Sequence, residues 1–114
     1  MGDAWDRFTD ENGVPEVVGS DGGVVVADEE YGGGARITLE RLGENAFGIT
    51  CGIYQWMMHT RRFSSLDDAE FAYEAMKVEL AAILDMIPNR SDPEADRKTD
   101  HAIAEMSRFV DTFP

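Results

Sequence analysis

A chain of 114 residues, 43% of them hydrophobic, is long enough for one modest core and is too apolar to be disordered throughout. Its formal net charge of −13, from 23 Asp and Glu against 10 Lys and Arg, argues against binding to nucleic acid or anionic membranes, because phosphate binding needs clustered cations. The single cysteine, Cys51, excludes an internal disulfide.

Residues 1–22 are polar and turn-rich and read as a loosely structured N-terminal arm, with residues 23–114 forming one domain. Within the arm, Ala4 to Phe8 fits a single helical turn capped by Asp3, with Trp5 and Phe8 on one side. Asn12-Gly13, Pro15 and the run Gly19 to Gly23 break structure, leaving room for an extended piece at Val17-Val18. The opening residues lack a basic stretch followed by an apolar one, and no apolar run approaches the ~20 residues of a membrane span. The expected compartment is the cytoplasm.

Val24 to Ala27 is a β-branched run of strand type, and Ile37 and Leu39 alternate with Arg36, Thr38 and Glu40. Gly32, Gly33 and Gly34 lie between them and join the two strands as a hairpin tip. A phosphate-cradling role does not suit these glycines, since Asp28, Glu29 and Glu30 adjoin them and no helix start follows. After a turn at Gly43 to Asn45, Phe47, Ile49, Cys51 and Ile53 share one face. The parity then changes, and Tyr54, Trp56 and Met58 become the bulky alternating set. Either a tight turn between Gly52 and Gln55 or a bulge in a single long bent strand explains the change; the turn is the preferred reading and gives a third strand over 46–52 and a fourth over 55–63. Ile53, Met57 and His59 then face one way, and Tyr54, Trp56 and Met58 the other.

Ser64 and Ser65, followed by Asp67 and Asp68, start a helix over 66–87. Leu66, Ala69, Tyr73, Met76, Leu80, Ile83 and Ile87 form its core stripe, with Asp67, Glu70, Glu74 and Lys77 on the wet face. Phe71, Ala75, Val78 and Ala82 make a second apolar row that needs cover of its own. Pro88 stops this helix, and Asp92-Pro93-Glu94 starts another over 93–112 with Asp92 as cap and Pro93 in the first position. A short connection makes the two helices antiparallel neighbours. The expected fold is α+β, an antiparallel meander of three or four strands with two C-terminal antiparallel helices on one face.

No motif fixes a reaction, and the chain reads as non-enzymatic, with no cofactor. Cys51 lies on a core face, where a thiol stays protonated; His59 is eight residues away, roughly 26 Å along one extended strand. His59 and His101 are too few for zinc, and Asp10, Glu11, Asn12 and Gly13 do not make a calcium loop. Two surfaces remain. Tyr54, Trp56 and Met58, with Phe71 and Val78 on the long helix, are the candidate interface of a protein-binding module, with a second copy of the chain as the expected partner. His59, Arg61, Arg62, Ser64 and Ser65 form an alternative small-anion site where the fourth strand meets the helix. In an acidic chain, Arg61 and Arg62 also have Asp67, Asp68 and Glu70 to pair with.

Overall fold

The structure, a computed structural model, describes residues 5–9, 12–15, 17–88 and 91–113. The expected cap Asp3 and the acidic residues Asp10 and Glu11 lie outside the described residues. Five strands form one antiparallel sheet in sequence order: β1 (Trp5–Arg7), β2 (Val24–Tyr31), β3 (Ala35–Gly43), β4 (Ala46–Ile53) and β5 (Met57–Phe63). Two helices follow, α1 (Leu66–Met86) and α2 (Ala95–Thr112). The fold is therefore α+β, with a five-stranded sheet rather than the three or four strands expected.

The additional strand comes from the N-terminal arm. Trp5 to Arg7 pairs with Tyr31 to Glu29 as β1 and does not form the expected helical turn. The Trp5 ring packs against Tyr31, with centroids 5.4 Å apart, and is only 7% exposed. Three residues have no period to read, so only a partner strand makes this segment extended. The β2–β3 hairpin turns on Gly32 and Gly33 at φ +55° and +70°, a conformation that glycine adopts without a Cβ clash. The change of parity after Ile53 is a tight turn at residues 54–56, with Trp56 N–H donating to the Ile53 carbonyl at 2.9 Å.

Alternation sends Ala35, Ile37 and Leu39 of β3 and Phe47, Ile49, Cys51 and Ile53 of β4 to one face, all of them buried. α1 covers them with Ala69, Tyr73, Met76, Leu80 and Ile83. Ser65 caps α1, its hydroxyl accepting from Asp68 N–H at 3.2 Å. Leu66, expected in the core stripe, is exposed because it precedes the first turn that reaches the sheet. α2 rests on α1 through Ala102, Met106 and Phe109, and the Phe109 ring stands nearly perpendicular to the His59 ring of β5, with centroids 6.3 Å apart. α2 begins at Ala95, two residues later than expected, because Asp92 and Pro93 form a turn in which Asp92 Oδ1 accepts from Glu94 N–H at 2.8 Å.

Lys77 is not on the wet face. It is buried, and its ammonium sits 3.1 Å from both carboxylate oxygens of Glu29 on β2 and 3.3 Å from Glu74. Tyr73 donates to the same Glu29 at 2.9 Å, so this carboxylate ties β2 to two successive turns of α1. Burial, and then the hydrogen bond to Glu29, push the Tyr73 phenol well above its ordinary pKa. Removing one partner of a buried pair strands the other charge. Lys77→Ala is therefore expected to lower the unfolding free energy by about 3 kcal/mol, and Lys77→Met, which keeps the apolar stem, by less. Chemical denaturation of the three proteins measures both.

Candidate functional site

The helices cover one face of the sheet and leave the other open. That open face presents Asp28 and Glu30 of β2, Arg36, Thr38 and Glu40 of β3, Thr50 of β4, and Met58, Thr60 and Arg62 of β5. Between two walls on it lies a groove of about 670 Å³. Thr38, Thr50 and Gly52 form its floor. Tyr54, Trp56 and Met58, in and just after the β4–β5 turn, form one wall, and Gly19 and Ser20 the other. The turn puts these bulky residues here: Ile53 points into the core, the chain reverses, and Met58 comes out opposite Gly52.

The floor's polar groups are already engaged. Arg36 donates to both oxygens of Asp28, at 3.0 and 2.7 Å, and Thr38 donates to Asp28 at 3.0 Å. The Arg36 guanidinium also stacks 3.5 Å from the centre of the Phe8 ring. The Tyr54 hydroxyl donates to Glu30 at 2.8 Å, and burial followed by this hydrogen bond pushes its pKa up to about 12. What the groove offers a ligand is thus mainly apolar surface: Met58 is 81% and Trp56 42% exposed.

The second wall is a small flap formed by residues 17–23. Val18 bridges Val24, Val25 N–H donates to Val17, and Gly19 and Gly23 are joined by a hydrogen bond of 2.8 Å. The extended piece expected at Val17-Val18 is part of this flap. Under it lies Glu40, only 1% exposed. Its Oε1 accepts from Asp21 N–H at 3.1 Å, while Oε2 has no hydrogen-bond partner among the described residues. A Cβ on Gly19 would fall 1.4 Å from that Oε2, so the flap closes only because this residue has no side chain. Arg62 reaches over from β5 and pairs with Asp21 at 3.0 Å. Sequence reading missed Glu40, which alternation alone places on a wet face. The glycine run beside it, able to lie flat on a strand, was the available signal.

The five residues of the alternative anion site do not converge. His59 and Arg61 are on the helix side of β5, and Arg62 is on the open side. His59 Nε2 donates to the Phe113 carbonyl, and the Arg61 guanidinium lies 4.8 Å from the Phe63 ring. The Ser65 hydroxyl is used in capping α1. Arg62 pairs with Asp21 rather than with Asp67, Asp68 or Glu70. Cys51 and His59, distant along an extended chain, become cross-strand partners through the β4–β5 hairpin. The thiol is buried, and desolvation pushes its pKa up to about 12, so it supplies no thiolate at neutral pH. Among the described residues no cluster of three or more His, Cys, Asp or Glu can hold a metal. Of the candidate interface residues, Tyr54, Trp56 and Met58 meet at the groove, whereas Phe71 and Val78 lie apart, exposed on the outer side of α1. No family model, curated protein or solved structure matches this chain.

Burial raises the Glu40 pKa, against smaller opposing effects from the Asp21 and Gly23 amides and from Arg62. A carboxyl group whose pKa is raised by folding binds its proton more tightly when folded. It therefore costs stability as pH rises out of the ordinary carboxylate range, and the cost vanishes in acid. Glu40→Gln is expected to be more stable than the parent by about 1 kcal/mol at pH 7, with the difference shrinking toward pH 4. Thermal unfolding of both proteins across that range measures the gap.

Proposed function

We propose that this chain is a non-enzymatic protein-interaction module that acts as a cytoplasmic homodimer, joining the open sheet face of one copy to that of another. One observation carries the reading: a groove and the apolar side chains fitted to fill such a groove lie side by side on the same surface. A two-fold axis along the groove's rim would set Trp56 and Met58 of each copy against the groove of the other, the self-complementary arrangement of an isologous dimer.

Chemistry supports the pairing. Asp28, Arg36 and Thr38 have their partners within the chain, so an apolar side chain laid over them leaves no hydrogen bond newly broken. Both cations of this face are paired on it, Arg36 with Asp28 and Arg62 with Asp21, and Glu30 accepts from the Tyr54 hydroxyl. Exposed Trp, Tyr and Met beside polar groups that are already bonded within the chain suit an interface core. The lone, buried, unbonded Cys51 suits the reducing cytoplasm. The alternative anion site lacks comparable support, because its two arginines lie on opposite faces of β5.

Two copies each carrying −13 repel, and salt screens that repulsion. Analytical ultracentrifugation is expected to show a dimer that tightens between about 20 and about 300 mM NaCl, as the screening length falls from roughly 20 Å to roughly 6 Å. Met58→Asp is expected to weaken it about tenfold or more without changing the circular dichroism spectrum. A chain still monomeric at about 100 μM in both salts, weaker than a typical specific pair, rejects the homodimer.

A further inference from the structure

The outer side of α1 is a second surface, and its chemistry differs from that of the groove. Asp67, Phe71, Glu74, Val78, Ala82 and Asp85 are all exposed and follow one another at steps of three and four, so they form a single stripe along the helix. The stripe is about 27 Å long at a rise of 1.5 Å per residue. Phe71 and Val78 are 81% and 70% exposed and lie one heptad apart, with Ala82 a turn beyond. A helix propensity alone does not call for phenylalanine or valine at exposed positions. Their spacing is that of apolar anchors facing a second helix.

Charge decides what that second helix carries. Asp67, Glu70, Glu74 and Asp85 surround the apolar residues, and the stripe contains no Lys or Arg. The one lysine of α1 is turned inward to Glu29 and of these carboxylates reaches Glu74, while Asp85 accepts from the Tyr31 hydroxyl, so the ridge keeps its net negative charge. Two copies of α1 laid together would bring acid against acid along the whole contact, so this ridge is unsuited to pairing with itself. We infer that the outer ridge of α1 docks a basic amphipathic helix of another protein, with apolar residues at heptad spacing seated on Phe71 and Val78 and flanking Lys or Arg facing Asp67, Glu70, Glu74 and Asp85. This inference is independent of the homodimer, which uses the opposite side of the molecule.

The probe is a synthetic peptide of about 18 residues, enough to match the ridge, with leucines at heptad spacing and lysines elsewhere. It is titrated against the full chain by calorimetry and by amide chemical shifts. The expected result is micromolar binding that weakens with salt, with shifts running from Asp67 to Asp85 and not across the open sheet face. A scrambled peptide of the same charge, and the Phe71→Ser/Val78→Ser variant with the original peptide, are each expected to bind about tenfold more weakly. Both replaced residues are exposed, so the variant is expected to fold, which its amide spectrum checks. No binding, equal binding by the scrambled peptide, binding that survives the double substitution, or shifts centred on the groove would each overturn the inference.

Discussion

The structure depends on one contact, the burial of β3 and β4 beneath α1. Ile37, Leu39, Ile49, Cys51 and Ile53 on the sheet and Met76, Leu80 and Ile83 on the helix are each 2% exposed or less. At roughly 2 kcal/mol for each large side chain removed from water, this seam is the main source of stability for a sheet that could not stand alone. One helical layer shields one face only. The second helix adds its own apolar side to the first instead of crossing to the other face. The bare face, its groove and the exposed aromatic turn all follow from that division.

Electrostatics reinforce the asymmetry. At least six of the 10 basic residues are engaged in internal ion pairs: Arg36 with Asp28, Arg62 with Asp21, Lys77 with Glu29, Arg97 with Glu94, Lys98 with Asp92, and Arg108 with Glu79 and Glu105. The cations act as local ties, and the surplus carboxylates define the field seen from outside. The open sheet face escapes this in part, because two of the ties lie on it. The outer side of α1 does not, because its one lysine is drawn inward to Glu29 and meets Glu74 there. Two apolar surfaces on the same small domain thus differ in the partners that their charge admits.

Much of the fold was legible. Alternation in β3 and β4, the glycine hairpin, the change of parity after Ile53, the serine cap and the stop at Pro88 are local signals, and each has a local cause. What could not be read depends on contacts distant in sequence. β1 is too short to have a period and is extended because Tyr31 and its neighbours receive it. Lys77 looked solvated beside Glu74 because Glu29, its deeper partner, is 48 residues away. Glu40 alternates like any outward residue and is buried only because a glycine-rich flap folds over it. The groove follows the same rule: parity groups Tyr54, Trp56 and Met58, but their opposite wall, Gly19 and Ser20, comes from the turn-rich N-terminal arm, whose composition shows no strand or helix period. Arg61 and Arg62, adjacent in sequence, could not act together, since neighbours on a strand point to opposite faces.

The meander also governs how the chain acquires its shape. Each strand after the first pairs with the one before it, across connections of three, two and three residues from β2 to β5. Such short-range pairing has a small loop-closure cost, so β2 to β5 can zip up progressively as the polypeptide lengthens. The roof arrives last, and until α1 emerges the oily side of β3 and β4 is bare. The interval between zippering and roofing is when this molecule is most open to aggregation, and its high negative charge, by keeping nascent copies apart, is a safeguard during that interval.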